Sequence, residues 1–120
     1  TIVAAATSNG AGSTTRGTLA LTTALGGFLT FKLTNGGTGP TAQCLARILV
    51  AHNATLPTAA SAGVDWKTVA EFGGGTTLNV ITENSWEIPP GVMAVEVEFT
   101  GNTGQAVTVE AFVSELTDIT

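Results

Sequence analysis

The chain has 120 residues and a mass of 12.0 kDa, and its nine carboxylates against four basic residues (Arg16, Lys32, Arg47, Lys67) give a formal charge of −5 and a pI near 4.5. A chain this long forms one domain, 1–120, that buries about 65% of its surface without help from metal or disulfide. The charge has the wrong sign for neutralising phosphates, so nucleic acid is excluded as the expected partner; one His, one Cys and no Tyr leave little for acid–base or nucleophilic chemistry.

With 22 Thr and 15 Gly among Val, Ile and Phe, the vocabulary is that of strands and turns. A short apolar strand is expected at 2–6, carrying Ile2 and Val3. It is followed at 7–17 by Thr-Ser-Asn-Gly-Ala-Gly-Ser-Thr-Thr-Arg-Gly, which offers nothing to bury and reads as a flexible arm or long loop. Leu19 and Leu21 alternate with Thr18 and Thr22 in a strand at 18–24, and Leu29, Phe31 and Leu33 alternate with Thr30, Lys32 and Thr34 at 28–34. The segment 42–51 is apolar on both faces except for Gln43 and Arg47, the pattern of a central strand covered on both sides; an amphipathic helix is the competing reading, and Ile48, Val50 and the flanking Gly39-Pro40 favour the strand.

Residues 53–64 read as a second loop with one helical turn at 58–62. A strand at 66–72 places Trp66, Ala70 and Phe72 on one face, so Trp66 is expected in the core; a further strand follows at 77–82. Met93, Val95, Val97 and Phe99 share one face of 92–99 with Glu96 and Glu98 on the other, and Val107, Val109, Ala111 and Val113 share one face of 106–113 with Thr108 and Glu110 opposite. The turns at 35–40 and 101–105 read as hairpins, Pro90-Gly91 as a type II turn and Gly73-Gly74-Gly75 as a break. Eight short strands with frequent turns predict an all-β fold, an antiparallel β-sandwich of jelly-roll or Greek-key type whose strand order the sequence does not specify.

Chemical motifs are absent: no nucleophile elbow, Walker loop or zinc-ligand spacing occurs. Cys44 and His52 share a segment, yet eight extended residues separate them by about 26 Å, too far for a nucleophile–base pair. Cys44 reads as a small core residue and His52 as a polar cap at a strand end. A lone cysteine also rules out an intrachain disulfide, and the unbroken apolar runs, such as 2–6 and 48–51, fall far short of the roughly 20 residues of a membrane helix. A start at Thr1 without a basic leader region reads most simply as initiator-Met removal, and a cleaved leader would look the same. Asn53-Ala54-Thr55 fits a glycosylation sequon, with no sign of a secretory route.

If the last two strands pair as a hairpin with Val97 opposite Val109, Glu96 lies opposite Glu110, and Glu96, Glu98 and Glu110 form one acidic outward face. Like charges across strands repel, so that face is either spread into solvent, matched by a basic partner surface or matched by a metal ion. A glycosidase pair would need one raised carboxyl, and nothing around these residues supplies it. Trp86, in Glu83-Asn84-Ser85-Trp86-Glu87-Ile88-Pro89-Pro90, is a core plug, a sugar platform or an interface anchor. No catalytic, cofactor or metal site is expected.

The pattern Leu33-Thr-Asn-Gly-Gly-Thr-Gly-Pro-Thr41, with Trp86-Glu-Ile-Pro-Pro-Gly91 and Val95-Glu-Val-Glu-Phe-Thr-Gly-Asn-Thr-Gly104, resembles the small β-sandwich proteins that decorate or cement tailed-bacteriophage heads, over residues 28–114. The resemblance implies a non-enzymatic virion protein on the capsid exterior, made in the host cytoplasm. It would bridge subunits of the major capsid protein as a homo-oligomer, a dimer or trimer. Residues 1–6, ahead of a flexible 7–17, would suit strand addition to a neighbour, making Ile2 and Val3 partner-binding candidates alongside Trp86, Glu96, Glu98 and Glu110. Another virion or adhesive structural protein, or a carbohydrate-binding sandwich, is the alternative.

Overall fold

The computed structural model describes residues 1–21, 26–52, 57 and 66–115. Among them are eight strands: β1 (Val3–Asn9), β2 (Thr15–Ala20), β3 (Gly27–Asn35), β4 (Leu45–Ala51), β5 (Lys67–Gly73), β6 (Ile81–Ile88), β7 (Ala94–Thr100) and β8 (Val107–Glu115). They form two antiparallel four-stranded sheets, β1-β8-β3-β6 and β2-β7-β4-β5, stacked as the sandwich that the alternation predicts.

The pairings have a simple logic. β1 pairs with β8, β2 with β7, β3 with β6 and β4 with β5, so the chain is one long hairpin bent between β4 and β5 and then rolled up. The β3–β8 and β4–β7 ladders complete the sheets. This is the jelly-roll connectivity.

Every connection except β4 to β5 therefore crosses between sheets, which corrects two expected hairpins. The 35–40 turn leads from β3 to β4 in the other sheet, and the 101–105 turn leads from β7 to β8 likewise. Gly and Asn reverse the chain equally well in a hairpin and in a crossover, so turn chemistry alone does not distinguish them. The expected strand at 77–82 lies instead at Ile81–Ile88, because Gly74 to Val80 are spent on the crossing from β5. Residues 7–17 are not a long loop: Thr7 to Asn9 end β1 and Thr15 to Gly17 begin β2. The predicted features at 22–24, 53–56 and 58–64, the sequon included, lie outside the described residues.

The core is built from inward stripes: Leu29, Phe31 and Leu33 of β3 and Val107, Val109 and Ala111 of β8 meet Ala46, Ile48 and Val50 of β4 and Val95, Val97 and Phe99 of β7. Phe31 bridges the layers, its ring 5.1 Å from Phe72 and 6.5 Å from Phe99. Each fully buried large side chain contributes about 1.5–3 kcal/mol by leaving water. Cys44 is buried in this core, as expected, and burial pushes its thiol up to about 11.

Trp66 is buried too, but not with Ala70 and Phe72. It packs with Leu49, Ala51 and Ala94 on the outer side of the β2-β7-β4-β5 sheet. The cause is a bulge: Ile48 faces Ala70 but Leu49 faces Thr68, so one extra residue in β5 flips every side chain before it to the other face.

Candidate functional site

The sandwich presents two outer faces, and the rows of residues across them differ in kind. On the β2-β7-β4-β5 sheet, register places Arg16 opposite Glu98, Glu98 opposite Arg47 and Arg47 opposite Glu71, an alternating row across all four strands. Arg47 Nε donates to Glu71 Oε2 at 2.6 Å and its Nη1 to Glu98 Oε1 at 3.1 Å, while Arg16 pairs with the other oxygen of Glu98. The carboxylates raise the pKa of the Arg47 guanidinium, Glu71 by hydrogen bonding first. Glu96, one pair along β7, is 0% exposed; it accepts from Thr18 Oγ1 at 3.1 Å and lies 3.5 Å from Arg16.

The expected acidic face thus does not exist as one surface. Glu96 and Glu98 lie on one side of the molecule, in β7, and Glu110 lies on the other, in β8, with Lys32 Nζ at 3.4 Å. Cations do match the carboxylates, but they come from this chain. The missed signal is Arg16 and Arg47, each at a strand position outward by alternation. Among the described residues no group of three or more His, Cys, Asp or Glu side chains is arranged to hold a metal.

The outer face of β1-β8-β3-β6 carries three-strand rows read across β6, β3 and β8: Glu87–Phe28–Ser114, Ser85–Thr30–Phe112, Glu83–Lys32–Glu110 and Ile81–Thr34–Thr108. Phe28 is 52% exposed, Phe112 41% and Ile81 60%. Phe28 and Phe112 are diagonal neighbours, within reach of a single docking group. At the end of the sheet a hollow of about 400 Å³ is lined by Phe28, Glu87, Ile88, Pro90, Ser114 and Glu115. The rows hold three carboxylates against one lysine, and Glu115 adds a fourth at the rim.

Of the remaining predicted contacts, Val3 is buried in this chain's own core and Ile2 packs against it, its amide donating to the Ala111 carbonyl at 3.0 Å. Trp86 is half-buried, opposite Leu29 and packed on the core, so its ring faces inward. His52 follows β4 and its Nδ1 lies 3.3 Å from the Gly91 carbonyl, the capping position expected. The exposed Phe28 and Phe112 were not singled out from sequence, although Phe28 sits out of phase with Leu29 and Phe31, and Phe112 out of phase with Ala111 and Val113.

In class, the chain is a small all-β sandwich sharing its architecture with phage, adhesin and carbohydrate-binding domains. One similar structure is the enzymatically active domain of bacteriophage CBA120 tailspike protein 4, with a TM-score of 0.54 at 11% identity, covering 87% of this chain and 14% of that one. Another is the K3 cleaved adhesin domain of Lys-gingipain from Porphyromonas gingivalis W83 (TM-score 0.55, 16% identity, 83% and 61% covered); a third is a family 16 carbohydrate-binding module (0.50, 10%, 91% and 74%). The chain thus spans a seventh of the tailspike structure and under two thirds of the adhesin domain. No family model and no curated protein matches the sequence. At such identities the likenesses define the fold alone.

Proposed function

We propose that the chain is a non-enzymatic structural protein of a virion that decorates or cements an icosahedral capsid. It attaches to the major capsid protein through the outer face of β1-β8-β3-β6 and bridges neighbouring subunits as a homo-oligomer. One observation carries this reading: the two outer faces are unlike. The arginine–glutamate row satisfies its charges internally. The opposite face leaves Phe28, Phe112 and Ile81 in water, and exposed large apolar groups on a flat, polar-rimmed surface mark contact with another protein.

Co-sedimentation with intact and stripped capsid shells tests it. The parent chain pellets with shells and Phe28→Ala/Phe112→Ala stays in the supernatant while keeping its circular-dichroism spectrum; equal pelleting of both, or of neither, overturns the reading. A sugar-binding module is the second reading, favoured by Phe28 lying beside the hydrogen-bonding side chains of Glu87 and Ser114. It requires glycan-dependent changes in the resonances of Phe28.

A further inference from the structure

Resting on that reading of the outer face, we infer that the hollow beside Phe28 is an arginine-accepting site: a guanidinium presented by the partner protein lies on the Phe28 ring against the carboxylate of Glu87. The observation behind it is a mismatch of charge. Arg16, Lys32 and Arg47 are each committed to a carboxylate elsewhere, whereas Glu87 and Glu115 form no ion pair among the described residues. Phe28 stands between Glu87 on β6 and Ser114 on β8, all three on the outward side of the sheet, and Glu115 lines the hollow one residue beyond Ser114.

Shape and chemistry then select the occupant. Ile88, Pro90 and Phe28 make walls for a methylene stem, and a hollow of about 400 Å³ has room for one long side chain. An aromatic face attracts a cation, and a planar guanidinium stacks on the ring while its edge donates to a carboxylate beside the ring. An ammonium offers a point charge without that fork. A neutral sugar would leave Glu87 without compensation, and an anion would be repelled by a face with three carboxylates per lysine.

Titration of the ¹⁵N-labelled chain with capped hexa-arginine, followed by chemical-shift mapping, tests the assignment. The expected perturbations centre on Phe28, Glu87 and Ser114. Phe28→Ala and Glu87→Gln should each weaken binding about tenfold, and hexa-citrulline, which keeps the shape and loses the charge, should not bind. Glu83→Gln, on the same face but outside the hollow, should change affinity by less than about twofold. Equal losses from Glu83→Gln and Glu87→Gln would mean diffuse attraction and overturn the site. Equal affinity for hexa-lysine and hexa-arginine would overturn the guanidinium assignment, and binding of cellohexaose in place of hexa-arginine would hand the hollow to a sugar. Shell attachment by a chain that ignores hexa-arginine sinks this inference alone, while hexa-arginine binding without shell attachment sinks the proposed function alone.

Discussion

Asn9 and Asn102 hold each other by two hydrogen bonds although 93 residues separate them: Asn9 Nδ2 donates to Asn102 Oδ1 at 2.6 Å, and Asn102 Nδ2 returns to the Asn9 carbonyl at 3.0 Å. Both are fully buried, and between them they also collect Thr15 Oγ1 and the carbonyls of Ser13 and Gln105. The pair therefore fastens the β1–β2 turn to the β7–β8 crossover at one end of the sandwich. Asn9→Ala or Asn102→Ala should each cost about 1–3 kcal/mol in urea unfolding, since each leaves a buried amide without its partner. The double variant should cost less than the sum by about 1 kcal/mol; strict additivity would show that the pair is not coupled.

Gly17 marks where the N-terminal residues seal the sandwich. A Cβ there would stand 2.5 Å from the Ile2 carbonyl oxygen and 2.8 Å from Val3 Cγ2. Gly17→Ala should destabilise by about 1–3 kcal/mol and speed hydrogen exchange at Ile2 and Val3, whereas Gly36→Ala, which meets nothing within 4 Å, should leave both unchanged. Normal protection at Val3 in Gly17→Ala would contradict the close approach.

Cys44 should be chemically silent in the native state. Burial raises its thiol to about 11, so the thiolate that reacts with disulfide reagents is scarce at pH 8, and labelling should follow global unfolding. The sign of the pH effect follows from the same shift. Above about pH 9 the unfolded thiol loses its proton while the folded one keeps it, so unfolding releases a proton and stability falls between about pH 9 and 11. Cys44→Ala should flatten that part of the stability profile; an unchanged slope would assign it to other groups.

Glu98 is the hub of the charge row, held by Arg16 and Arg47 and only 12% exposed. Glu98→Gln should cost about 1–2 kcal/mol, more than an exposed pair and less than a fully buried one. Lys32→Gln, which breaks only the pair with Glu110, should cost about 0.5 kcal/mol or less. Because 1 M salt shortens the screening length to about 3 Å, the difference between the two variants should narrow there; persistence would point to packing instead.

The strands were largely legible in the sequence because one face of each had to be greasy: Leu29, Phe31 and Leu33, or Val107, Val109 and Ala111, alternate without interruption. Sheet membership was not, since Val97 and Val109 look like hairpin partners yet lie in different sheets, both buried in the core. Trp66 is buried as expected, but on the outer side of its sheet rather than with Ala70 and Phe72, because the bulge beside Val69 leaves no mark in the alternation. The ends of β1 and β2 escaped notice because Asn9 and Thr15 are held by polar bonds rather than by apolar burial. For the site, grouping Glu110 with Glu96 and Glu98 failed with the hairpin that it assumed. Ile2 and Val3, offered as an arm for a neighbour, seat themselves in their own sheet, so deleting 1–12 would strip β1 from β8 and test folding more than attachment.

The place of β8 between β1 and β3 has a consequence for biosynthesis. Of the β1-β8-β3-β6 sheet, only the β3–β6 ladder can zip while residues 107–115 are still inside the ribosome; β1 waits for the last strand to reach it. Until then, the β8-facing edge of β3 and the whole of β1 stand unpaired, and such open strand edges make a nascent chain prone to stick to its siblings.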